Sequence, residues 1–348
     1  MRIWDKNEIQ DCLASSWERV SYDEFSKVFM ERERIFPCTL GVAGFNNNQI
    51  RFGFISDDID SVKAGENLAA MLQSYLPYAR KFGKNTSLVV FFNEERELGI
   101  ENYERIFWDL LKRISFFDVK AWPENVPKTP DDHLWEFSFA GEPVFVVCNT
   151  PSHRVRRSRY SKNFMITFQP RWVFEGIIGE GAPNSEKIKR EIRRKLVLFD
   201  GVLPSPDLGA YGDKSNFEWK QYFLKENNDP RSEKCPFTYK GRNNLVEVIS
   251  TDLTVLDDVV SQLLPPTGSV EVQYDSPFRV HEQHHHNVDE TLHIICGEIT
   301  FYYGEHNVTC RAGDRLLLPA MTLHKSRAGD HGCLYVIATR IIRPEIGG

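Results

Sequence analysis

Four side chains that favour metal ions, His284, His286, Glu290 and His324, are spaced in a way that restricts what the second half of this chain can fold into. Side chains two apart on a strand share a face, so His284 and His286 converge while His285 points away. Glu290 opens the next apolar run and His324 belongs to a later one, so the four meet only where several strands surround a common interior. The neighbouring sequence agrees. After residue 245 the runs LVEVIS, SVEVQYD, TLHIICGEITFYYG, NVTCRAGD, RLLLPA and CLYVIATRII are punctuated by Gly and Pro, the pattern of a small all-β barrel or jelly roll. Three imidazoles and one carboxylate with exchangeable positions suit Fe(II), and less distinctively Mn, Ni, Cu or Zn. The plain alternative is a metal-free barrel whose histidines are satisfied by hydrogen bonds. His281, His285, His293, His306 and His331 read as bystanders, His281 as one that could sit at the rim.

The first half is built from different material. All seven tryptophans lie within the first 219 residues, whereas eight of the ten histidines lie between His281 and His331. A chain of 348 residues has room for about two domains, and the polar stretch KENNDPRSEK (225–234) marks the junction, dividing the chain into 1–235 and 236–348. In the first half SYDEFSKVFMERER (21–34) has helical spacing, with Ser21 as cap and Glu24 three residues on. NQIRFGFIS, TSLVVFFN, HLWEFSF and PVFVVCN read as strands, with helices around 61–80 and 101–117. The expected class is α+β, a mixed α/β domain followed by an all-β one. SEKIKREIRRKLVLF (185–199) is an amphipathic helix whose basic face reads as solvated.

No run approaches the roughly 20 apolar residues of a membrane helix, and the N-terminal MRIWDKNEIQ is charged where a signal peptide is apolar. Seven cysteines without a CxxC pair fit reduced thiols and a cytoplasmic setting. A net charge of −6 gives no global reason to expect nucleic acid.

His284, His286, Glu290 and Gly297, then Gly313, Pro319 and His324, are similar to the two cupin motifs position for position. Met321 and Ala328 stand where Gly and Asn are common, outside the ligand set. In the first half, Pro151-Ser152-His153-Arg154-Val155-Arg156-Arg157-Ser158-Arg159 follows a strand. Taken alone it fits an anion-binding loop or a solvated basic turn, and less readily a haem held by His153 with guanidinium groups on the propionates. There is no CxxCH, so any haem would be non-covalent.

Together with Phe36-Pro37-Cys38, Gln169-Pro170-Arg171, Phe174-Glu175 and PDLGAYGDKSNFEWKQYFL (206–224), this loop resembles the YqcI/YcgG family over about residues 20–225. The resemblance implies a haem-dependent N-oxygenase acting on guanidine or amine nitrogens such as that of arginine, using haem b, O₂ and an external electron donor. Under that resemblance His153 is the first choice of iron ligand and Cys38 its rival. Arg156, Arg157 and Arg159 are candidates for propionates or a substrate carboxylate, and Glu175 and Glu218 for pairing a guanidinium. Each of these acids reads equally well as an ordinary ion pair.

A haem oxygenase fused to an iron cupin is similar to enzymes that build N–N bonds from arginine derivatives, giving N-nitroso or diazeniumdiolate products, an analogy of architecture. Two other readings stay open: a single-site cupin dioxygenase or isomerase with a non-catalytic first half, and a haem or metal sensor. Cupins commonly pair, so a homodimer is expected.

Overall fold

The apolar runs near 50 and 87 become the parallel pair β1 (Ile50–Ile55) and β2 (Ser87–Phe92) in the computed structural model. The structure describes residues 2–340 except 14–15, 32, 95, 97, 119, 178–181, 230–233, 239–245, 265–267, 287, 305 and 320–321. The chain divides into two units, Met1–Tyr239 and Lys240–Gly348.

In the first unit, β3 (Ser138–Phe139), β4 (Glu142–Asn149) and β5 (Phe164–Pro170) complete a five-stranded sheet in the order β1-β2-β5-β4-β3. Parallel strands need a crossover, and helix Val62–Tyr75 lies between β1 and β2 in the chain. Gly53 allows its close approach: a Cβ there would meet Met71 Sδ at 2.5 Å. The opposite face carries helix Trp17–Met30, which sets Tyr22 edge-on to Phe52, ring centres 5.1 Å apart.

This helix begins before the expected position. Ser16, whose Oγ accepts from Arg19 N at 3.3 Å, is the cap. Ser21 is internal because its hydroxyl bonds to Trp17 O and Asn163. Of HLWEFSF only Ser138–Phe139 pairs, since Asp132–Trp135 is held in a turn. Strand β5, not among the strands read from the sequence, lies between β2 and β4 and is antiparallel to both.

The second unit is a seven-stranded antiparallel jelly roll. Its strands are β6 (Glu247–Ser250), β7 (Gly268–Asp275), β8 (Val280–His284), β9 (Asp289–Tyr303), β10 (His306–Arg311), β11 (Asp314–Leu318) and β12 (His324–Arg340). Alternation sorts the faces. Tyr335 joins the core of Ile294, Ile299, Phe301 and Leu316, while Val336 and Ala338 point the other way and pack on helix Leu256–Leu263.

The long strands change partners midway. β9 pairs with β11 over Glu290–His293 and with β10 beyond Gly297. Gly297 makes the bend with φ +80°, and a Cβ on it would stand 2.0 Å from Gly332 O. Gly297→Ala should therefore destabilise the second unit by at least about 2 kcal/mol. Urea denaturation of the full chain, followed by hydrogen exchange of β9 and β12, checks this; unchanged protection there contradicts it.

Candidate functional site

Strand register builds the first site. His284 at the end of β8 lies opposite His324 at the start of β12, and His286 follows two residues later. One ligand atom from each of the three lies within 4.8 Å of the others. Hydrogen bonds orient two rings: His284 Nδ1 donates to Glu282 O at 2.6 Å and His324 Nδ1 to Thr322 O at 2.7 Å, leaving both Nε2 lone pairs free. Glu290, buried, places Oε2 3.4 Å from His286 Nε2.

Burial lowers the pKa of His324 to about 4 against the pull of Thr322 O, with the neighbouring imidazoles adding to the shift. Burial also lowers His286 and raises Glu290 to about 7. Clustered imidazoles beside a carboxyl group form a set that a divalent cation would satisfy. The bystanders are engaged or exposed: His281 Nε2 lies 2.8 Å from Asp275, His293 Nε2 2.8 Å from Leu253 O, and His285, His306 and His331 are exposed. Met321 lies outside the described residues.

The second site is a cavity of about 380 Å³ in the first unit, walled by Phe29, Phe36, Val89 and Leu196 and opened on by Cys38 and Arg159. Cys38 caps helix Thr39–Asn46, its Sγ accepting from Gly41 N at 3.3 Å. Burial pushes the thiol up, while the Gly41 and Leu40 N–H groups and Arg159 pull it down. Arg159 donates Nη2 to Gln221 O at 3.3 Å, but its buried Nε has no partner among the described residues. Burial lowers its pKa to about 10, against Asp200.

Helix Ser185–Asp200, read from sequence as a solvated basic face, sends Lys189, Ile192 and Leu196 to the same cavity. An apolar enclosure containing a thiol that already accepts a backbone N–H and a guanidinium with one unpaired Nε offers donors that could hold a haem.

His153, the first choice for the iron, is placed otherwise. It is buried and lines not this cavity but a second one, of about 320 Å³, bordered by Val28, Glu31, Arg34, Arg157 and Phe199; Nε2 donates to Leu224 O at 2.8 Å, so Nδ1 accepts from Thr150 Oγ1 at 2.8 Å. With both nitrogens engaged, no lone pair is left for a metal.

Arg156 borders the cavity but spends its guanidinium on Lys225 O at 2.6 Å, Leu203 O and Asn228. Arg157 lines the cavity and is exposed. Glu175 is exposed and absent from the wall. Glu218 is in the wall, but buried in a cluster that sequence reasoning missed. Arg171 bonds Glu136 at 2.5 Å through Nε and Glu218 through Nη2, and Tyr222 OH donates to Glu218 at 3.0 Å. Burial raises Glu218 to about 7, Arg171 opposing and Glu136 adding to the shift. Glu136 lay within a run read as a strand, and nothing local marks it as the partner of Arg171.

A cavity-bearing α+β unit joined to a jelly roll with a histidine cluster defines a two-domain protein with one candidate site in each unit. The chain belongs to the YqcI/YcgG family, whose profile matches residues 25–238. It is 41% identical to YcgG of Bacillus subtilis over 227 residues, 64% of this chain and 88% of that one. It is 30% identical to the protein named "Putative N(omega)-hydroxy-L-arginine synthase DcsA" of Streptomyces lavendulae, over 68% of this chain and 89% of that one. Among solved structures, a cupin-2 domain protein from Shewanella frigidimarina matches 25% of this chain and 93% of its own, at 18% identity and a TM-score of 0.20. No helix among the described residues is long and apolar enough to cross a membrane.

Two outcomes are expected. The full chain should bind Co(II) through the histidine cluster, and His286→Ala should abolish the cobalt absorption while the first unit keeps its unfolding transition; unchanged absorption contradicts the ligand set.

His153 generates a pH dependence. Its pKa is held at about 4 in the folded chain, chiefly by burial, against an ordinary 6.5. Its stabilisation is therefore complete above about 6.5 and lost as pH falls toward 4, by at most about 3 kcal/mol. Raised carboxyls such as Glu218 act with the opposite sign, so the quantity to measure is the stability gap between wild type and His153→Gln. It should narrow on going from pH 7 to 4.5; a constant gap removes His153 from the balance.

Proposed function

We propose that this protein is an oxygenase that oxidises a guanidine nitrogen of L-arginine or N-hydroxyarginine, with haem b in the first unit and non-haem Fe(II) in the second. The product would carry an N–N bond of N-nitroso or diazeniumdiolate type. The observation that carries this reading is the likeness to DcsA over the unit that contains the cavity. The histidine cluster of the second unit supports a further step beyond hydroxylation.

Haem iron with O₂ supplies an oxidant strong enough for a delocalised guanidine, and two electrons from an external donor balance one hydroxylation with release of water. Cys38 replaces His153 as the residue that would hold the iron, because it lines the larger cavity and both His153 nitrogens are occupied. Arg159 and Arg157 would pair the propionates, the unpaired Nε of Arg159 gaining an acceptor. The apolar walls would exclude water from the reacting nitrogen. His284, His286 and His324, with Glu290, would hold the Fe(II). Covalent tethering of the units raises the effective concentration of a labile intermediate. The free cysteines fit a cytoplasmic setting, and a homodimer is the assembly we propose.

Reconstituted protein should show a Soret band that Cys38→Ala abolishes or strongly shifts and His153→Ala retains; the reverse would return the iron to His153. With ¹⁵N-guanidine-labelled substrate, O₂ and a reductant, mass spectrometry should detect oxygen on nitrogen, and His324→Ala should accumulate the hydroxylated species. Wild-type product from that variant would favour a single-site enzyme.

A further inference from the structure

Resting on the arginine reading above, we propose that Gln169 and Glu218 form the part of the cavity wall that receives the cationic guanidine group of the substrate. Gln169 is on β5 and lines the cavity. It is only 9% exposed, yet its side-chain amide has no partner among the described residues. Its amide is not among the fully buried unpaired groups, so it opens onto the cavity with its hydrogen-bonding capacity unused by the described residues.

Glu218 lines the same cavity. It shares the single guanidinium of Arg171 with Glu136, so the ionised cluster holds two carboxylates against one cation. Its remaining direct partner is the neutral Tyr222 hydroxyl. Within this cluster the ionised carboxylates outnumber the cation by one, and a second planar guanidinium would match that excess with directed N–H donors. Gln169 offers a carbonyl oxygen to the same group. Phe145, Phe174 and Tyr211, also in the wall, supply aromatic surface of the kind a guanidinium stacks on; Arg171 already lies 4.3 Å over the Tyr211 ring. A neutral ureido group of identical shape would leave the cluster short of its cation. The Glu218 corner of the wall, set apart from the Arg157, Arg159 and Lys189 side chains that also line the cavity, therefore selects by charge as well as by shape.

Titration calorimetry of the full chain with L-arginine, agmatine and L-citrulline tests this. Arginine and agmatine should bind at least about tenfold tighter than citrulline. Gln169→Met removes an amide that holds nothing in the free protein, so it should leave the melting temperature unchanged while weakening arginine about tenfold. Glu218→Gln should erase the preference over citrulline; if it does not fold, Gln169→Met carries the test.

Arginine and citrulline bound equally by wild type would overturn recognition by charge. Full arginine affinity in a folded Gln169→Met would overturn the assignment of this wall and leave the arginine reading standing. Binding of none of the three ligands would overturn both.

Discussion

The cavity of the first unit depends on one clasp, in which the turn after β4 captures the segment returning over residues 200–228. The N–H groups of Arg154 and Val155 converge on the Glu226 carboxylate at 2.8 and 2.6 Å. Arg156 donates to main-chain oxygens of Leu203 and Lys225, His153 donates to Leu224 O, and Ser158 donates to Asp200. Each bond contributes only about 1 kcal/mol net, but leaving the buried members, His153 and Arg156, unpaired costs more, so the set holds together. Without it, Leu208, Glu218, Gln221 and Leu224 would not be held against the sheet as cavity wall. A basic run that looks built for an outside anion thus serves mainly to fasten its own chain, and Arg159 is the member with a donor left over.

The two candidate sites are positioned by different means. In the second unit, ligands come from strand ends whose register is fixed by main-chain bonds, and alternation decides which side chains point inward. The bend at Gly297 lets β9 serve two partners, and the register places His324 opposite His284. In the first unit, the wall collects residues from a helix cap, four strands, two long helices and the 204–224 segment. Its electrostatics are correspondingly collective. Glu136 and Glu218, 82 residues apart in the chain, take their character from sharing Arg171, and neither has it alone.

This contrast explains how much could be read from the chain beforehand. The jelly roll, the α+β character of the first half and the grouping of His284, His286 and His324 were legible, because they follow from period-two alternation and from ligand spacing near strand ends, which are local geometry. The helix start at Ser16, the strand β5 and the saturation of His153 were not. Ser16 and Ser21 offer the same hydroxyl, and only packing against Asn163 decides which one caps. His153 among arginines has the composition of a cofactor loop, but whether an imidazole faces a cavity or a carbonyl 71 residues away is a tertiary matter. The sequence by itself determined which groups the protein has and which face of each strand bears them. Only the tertiary structure decided which groups are paired off internally and which, like Cys38, Arg159 and Gln169, still face the cavity, because a buried polar group takes its partner from whatever the fold brings within about 3 Å.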